Sequence, residues 1–95
     1  MRYEWDEEKD KENRRKHKLS LNAGIPVFDD PFRIEAYDGS EAYGEDRFIT
    51  IGIDKELDTL YVCYTMRGSR NSTRLISVRR AQKHERQLYE QQKKW

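Results

Sequence analysis

The segment Arg74-Leu-Ile-Ser-Val-Arg79-Arg80-Ala81 ends an apolar strand pattern in two adjacent arginines and passes directly into a helical pattern. Two guanidiniums at the end of a rigid element suit a phosphate, because each is permanently charged and presents a fork of N–H donors. Arg67, Arg70 and Arg74 belong to the same stretch, and no acidic residue occurs between Asp58 and Glu85 to neutralise them nearby in sequence. An external anion is the expected partner, with pairing to acidic loops elsewhere in the fold as the alternative. Arg79 and Arg80 should point to opposite sides of their strand. Arg67 should approach one of them across a regular hairpin through Gly68–Ser72.

Lys9, Asn13 and His17 recur at i, i+4 and i+8 and therefore share one stripe of a helix. A cation, an amide and an imidazole in a row can hold a phosphate and move a proton near neutral pH. The same spacing also fits an ordinary solvated helix face, with His17 serving only the helix dipole.

Other chemistries find less support. The two histidines fall in different helices, and the sequence contains neither an HExxH motif nor Cys/His metal spacing, so no metal or other cofactor is expected. Gly-rich phosphate loops are absent, and no serine occupies a strand-to-helix elbow. Acid–base chemistry without a metal remains, and RNA is its natural substrate, since the 2′-hydroxyl supplies the nucleophile and the protein need add only a base, an acid and cations. Two rivals stay open: a non-catalytic nucleic-acid-binding module using the arginines as a phosphate clamp, and a protein-interaction domain whose basic segments meet an acidic ligand.

These side chains must be positioned by a small scaffold. The chain has 95 residues, 35% hydrophobic and 12% aromatic, enough for one domain over 1–95 and near the lower limit for a core without staples. Its net charge of +1 conceals an asymmetry: Asp29 to Asp58 holds 10 acidic and 3 basic residues, whereas Thr59 to Trp95 holds 9 basic and 2 acidic ones. Such a division suits a cationic face for nucleic acid and an acidic face for another partner. Cys63 is the single cysteine, within the apolar run Leu60–Tyr64, which predicts a buried thiol, no disulfide and a reducing compartment. No stretch approaches the roughly 18 apolar residues of a membrane span, so a cytoplasmic protein without a membrane partner is expected.

Tyr3-Glu4-Trp5 predicts a very short strand, and Asp6 an N-cap for a surface helix from Glu7 to Lys18, acidic at its start and basic at its end as the dipole favours. Ser20 should cap a bent, partly 3₁₀ segment through Ala23 to Phe28, weakened by Gly24 and Pro26. Strands follow at Arg33–Tyr37, Arg47–Ile53, Leu60–Arg67 and Thr73–Val78, joined by short turns and therefore an antiparallel meander. Ile49, Ile51 and Ile53 on one strand, and Leu60, Val62, Tyr64 and Met66 on the next, are expected to form one face under the helices. A polar last helix, about Arg80 to Gln92, needs Tyr89 and Trp95 to dock.

In order and spacing, several segments resemble the BrnT toxins: Tyr3-Glu4-Trp5-Asp6, Lys9, Asn13, Lys16-His17, Val27-Phe28-Asp29-Asp30-Pro31, Gly44-Glu45-Asp46-Arg47-Phe48-Ile49, Tyr64-Thr65-Met66-Arg67-Gly68, and Ile76-Ser77-Val78-Arg79-Arg80-Ala81 with Glu85 and Tyr89. The resemblance spans almost the whole chain. It implies an α+β, RelE-like fold, with N-terminal helices and a C-terminal helix packed on a small antiparallel sheet. It also implies a type II toxin acting as an mRNA interferase-like endoribonuclease that halts translation and growth. The implied partners are RNA, a cognate antitoxin, BrnA, and operator DNA bound through that antitoxin. By the same resemblance Arg67, Arg79 and Arg80 gather round the scissile phosphate with Tyr89 beside them, and His17 is the proton-transfer residue with Lys9 on the same helix; the residues themselves add Asn13, Arg70, Arg74 and Glu85 as candidates for contact with substrate. Glu85 is an alternative base or a residue that orients an arginine. Gly24 and Pro26 depart from the plain helix of relatives.

Overall fold

The computed structural model describes residues 2–39, 44–67 and 71–93. Residues 68–70, Arg70 among them, and Trp95 lie outside the described residues. Five strands form one sheet in the order β1-β5-β4-β3-β2: β1 (Arg2–Glu4), β2 (Ile34–Gly39), β3 (Arg47–Ile53), β4 (Thr59–Arg67) and β5 (Ser72–Arg80). The expected meander is present from β2 to β5, while β1 joins it parallel to β5. Helix α1 (Glu7–His17) and a 3₁₀ segment (Leu21–Asp29) separate β1 from β2, and α2 (Lys83–Lys93) closes the chain.

Local chemistry explains these elements. The Asp6 carboxylate accepts from the Glu8 N–H at 2.8 Å, capping α1, and Lys18 ends it in the left-handed region with its N–H on the Arg14 carbonyl. Ser20 makes no side-chain cap for the 3₁₀ segment. Asp10 does so from a distance: its buried carboxylate accepts from the Leu21 N–H at 2.7 Å and pairs with Arg14.

The sheet's first face carries Leu60, Val62, Tyr64, Leu75 and Val78, packed against Leu21 and Val27 of the 3₁₀ segment. Gly24 is the point of closest approach, since a Cβ there would stand 2.9 Å from a Val78 methyl and 3.1 Å from one of Val62. The glycine that weakens a helix on propensity is what lets this segment lie flat on the sheet.

One expectation fails here. Ile49 and Ile51 register against Cys63 and Tyr61, so the isoleucines share the second face with those residues. Thr50 and Gly52 are the residues set opposite Val62 and Leu60 on the core side. The five-residue turn 54–58 sets this register, and a shift of one residue exchanges faces.

β1 covers β5 only as far as Arg74, which leaves the edge beyond it open. Asn13 of α1 covers that edge: its Oδ1 accepts from the Val78 N–H at 3.0 Å, and its Nδ2 donates to the carbonyls of Val78 and Leu19 at 2.8 Å. The amide thus stands in for a neighbouring strand. Asn13→Ala would orphan these buried groups and is expected to cost about 3 kcal/mol, read as a lowered urea midpoint with an unchanged slope.

Candidate active site

A cavity of about 380 Å³ lies between α1 and the second sheet face. Lys9, Lys16 and His17 line its helical wall, Tyr61, Cys63, Ile76 and Ser77 its floor, and Asp38 and Arg47 the opposite side. Spacing alone made Lys9, Asn13 and His17 neighbours, and the fold directs the stripe onto the sheet. The three differ in role. Asn13, only 4% exposed, commits its amide to backbone groups, so its expected contact with substrate gives way to a structural role. Among the described residues, Lys9 and His17 make no hydrogen bond or ion pair, which leaves the ammonium and the imidazole available to a ligand.

Arg79 stacks on the Tyr61 ring beside this cavity, its guanidinium carbon 3.9 Å from the ring centroid. The sequence offers no acid close to Arg79, yet Glu85 meets it in a bidentate pair with both contacts at 2.8 Å. Glu85 has a second task. It accepts from the Gln82 N–H at 2.7 Å, the contact that a glutamate in the first turn makes to the capping residue. One carboxylate therefore starts α2 and fixes the plane of Arg79. The guanidinium holds the Glu85 carboxyl below its ordinary range, and the same hydrogen bonding raises Arg79 above its own. Arg80 registers opposite Leu60 instead of Tyr61 and is exposed, away from the cavity lining. Both arginines belong to β5; the helix begins only at Lys83.

Arg67 of β4 and Arg74 of β5 form a separate cluster towards the β1 edge of the sheet, and they too have acidic neighbours. Glu4 lies 3.7 Å from Arg67 and 3.8 Å from Arg74, and Asp6 lies 4.0 Å from Arg74. These partners come from the chain's first residues, joined to β5 by the parallel β1 pairing. The pairs are long and partly exposed, so they leave much of each guanidinium free to exchange partners.

Tyr89 is fully buried and donates its hydroxyl to Asp30, which also accepts from the N–H groups of Phe32 and Ile53 at 2.9 and 3.0 Å. Its expected place beside a substrate is replaced by a latch that docks α2. Burial raises the Asp30 carboxyl, but the Tyr89 hydroxyl and the two backbone donors outweigh it and hold the group below its ordinary range. A depressed carboxyl contributes stability that is present above its unfolded pKa of about 4 and is lost as pH falls through the folded value. Asp30 and Glu85 both act in this direction, so thermal unfolding should move to lower temperature below about pH 4. Tyr89→Phe is expected to cost about 2 kcal/mol at pH 7 and to make that acid dependence shallower.

Tyr61, Asp38, Arg47 and Ser77 were not among the candidates from sequence. Alternation along β4 was the available signal, since Tyr61 and Cys63 must face away from the core residues Leu60, Val62 and Tyr64. Cys63 is a buried free thiol whose pKa is pushed up by burial, in keeping with a packing role. Among the described residues, no group of three or more His, Cys, Asp or Glu is placed to hold a metal ion. No helix among them is long and apolar enough to cross a membrane.

Comparison with known proteins agrees with this architecture. The family described as "Ribonuclease toxin, BrnT, of type II toxin-antitoxin system" matches residues 5–85. A crystal structure of the Brucella abortus ribonuclease toxin BrnT superposes with a TM-score of 0.59 at 25% identity, over 87% of this chain and 99% of that one. At that identity the two are distinct sequences sharing one fold. No match is found among curated protein sequences. With the family pattern running from Trp5 to Glu85, through α1, strands β2 to β5 and the start of α2, the chain belongs to the BrnT family of ribonuclease toxins of type II toxin–antitoxin systems.

Proposed function

We propose that this chain is an endoribonuclease that cuts RNA without a metal, by attack of the substrate's own 2′-hydroxyl, in the cavity between α1 and the second sheet face. The convergence of unpaired Lys9 and His17 on a floor bordered by the Arg79–Tyr61 stack carries this reading. His17 takes the proton of the 2′-hydroxyl, since its imidazole lines the cavity and can accept a proton there. The oxygen attacks the adjacent phosphorus, and the phosphate gathers charge in the transition state. Arg79 meets that charge with the Nε–H and outer N–H that Glu85 and the Arg80 carbonyl leave free. The 5′-oxygen leaves with a proton from Lys9, giving a 2′,3′-cyclic phosphate and a 5′-hydroxyl end. Arg67 and Arg74 hold flanking phosphates by exchanging Glu4 and Asp6 for RNA, with Arg70 and the exposed Arg80 as further contacts.

As an mRNA interferase-like enzyme, the chain stops translation and growth in the cytoplasm during stress. A cognate antitoxin, BrnA, neutralises it by direct binding and carries the complex to operator DNA. An RNA with a single 2′-deoxynucleotide at a mapped cut site tests the chemistry. Loss of cleavage at that site alone is expected, because the nucleophile is gone; persistent cleavage there would mean that water or another group attacks. RNA that is bound but left intact would favour the non-catalytic phosphate clamp.

A further inference from the structure

Two β-bulges open onto the same cavity. In β5 the pairing steps from Cys63–Ser77 to Tyr64–Leu75, which leaves Ile76 as the extra residue. In β2 it steps from Tyr37–Phe48 to Gly39–Arg47, which leaves Asp38. A bulge re-aims a side chain at the expense of ladder pairing, and both extra residues line the cavity.

Asp38 is the chemically unexpected member. The lining cations are Lys9, Lys16 and Arg47, and the other lining acid, Glu12, is bound to Arg15. Asp38 is exposed and, among the described residues, makes no hydrogen bond or ion pair. A free carboxylate at this position repels an RNA backbone, so phosphate affinity does not account for it. Base edges are different, because a carboxylate can accept from their N–H groups. Guanine offers two adjacent donors, N1–H and the N2 amine, at a spacing that fits the two oxygens of one carboxylate. Uracil offers one N–H flanked by carbonyl oxygens, which the carboxylate repels. Ile76 supplies apolar surface for a base face, and Arg47, opposite the β2 bulge and 3.6 Å from Glu45, places positive charge near a purine carbonyl. The guanine N1–H and N2–H lie on the Watson–Crick edge, so the base must be unpaired to present them to Asp38.

We propose that this cavity is a guanine-reading subsite for single-stranded RNA, in which Asp38 accepts the N1–H and N2–H of the base. The assignment rests on the ribonuclease function above only for the source of the base. Binding of GMP, AMP, CMP and UMP to the full chain and to Asp38→Asn, followed by NMR shifts of the Ile76 and Ser77 amides, tests it directly. GMP should bind about tenfold or more tighter than the other three, inosine monophosphate should fall between, and Asp38→Asn should bring the four near parity. Equal binding of all four by the wild type, binding of none, or a GMP preference unchanged in Asp38→Asn would overturn it. Cleavage maps of a long unstructured RNA separate this from the parent reading. Selective GMP binding without cuts keeps the subsite and removes the nuclease, whereas cuts with the same map in both proteins keep the nuclease and remove the subsite.

Discussion

His17→Ala is expected to slow RNA cleavage about a hundredfold or more while lowering the melting temperature of the protein by no more than about 5 °C. The imidazole lines the cavity and, among the described residues, makes no hydrogen bond or ion pair, so removing it takes away a proton acceptor and no structural bond. Its position in the last turn of α1 adds a modest favourable dipole contact, worth a fraction of a kcal/mol to about 1 kcal/mol when the ring is charged. The pH–rate profile distinguishes a proton-transfer role from simple charge. If His17 is the base, the wild-type profile carries a limb that the variant loses. An unchanged profile in the variant would remove His17 from the chemistry.

Arg79→Ala is expected to damage both cleavage and folding, in contrast to a substitution at an exposed arginine. Without the guanidinium, the Glu85 carboxylate stays nearly buried with only the Gln82 N–H for company, and breaking such a pair from one side costs about 3 kcal/mol. Loss of a donor aimed at the phosphate adds roughly a hundredfold in rate. The double change Arg79→Ala, Glu85→Gln separates the two effects, because it removes the stranded charge. Stability should largely return while cleavage stays low. Recovery of cleavage along with stability would show that Arg79 only supports the fold. Arg80→Ala, which removes an exposed side chain outside the cavity lining, is expected to change stability by less than about 0.5 kcal/mol.

The parts of this molecule that depend on neighbours in sequence were legible in it. Asp6 capping, the charge gradient of α1, the bent segment around Pro26 and the bounds of β3 and, within one residue, β4 follow from local propensity, and the structure has them, while β2 and β5 run two residues past their expected ends. Relations between distant segments were not legible. The absence of acids from 59 to 84 suggested unpaired arginines, but Glu4 and Asp6 reach Arg74 through a parallel strand pairing, and Glu85 turns back from α2 onto Arg79. The isoleucines of β3 moved to the second face because hairpin register, not composition, decides which side they take. Asn13 looked like part of a solvated stripe, since no local pattern shows that the edge of β5 needs a cap. Asp38 and Ile76 reach the cavity through bulges, which break the alternation that a sequence pattern relies on.

The most direct test is cleavage of a defined RNA in excess EDTA by the wild-type protein and by His17→Ala, prepared side by side, with the ends of the products identified. Wild-type cleavage leaving 2′,3′-cyclic phosphate and 5′-hydroxyl ends, with the variant reduced about a hundredfold, is the predicted result. Cleavage that EDTA abolishes, or that both proteins carry out equally, would contradict metal-independent chemistry centred on His17.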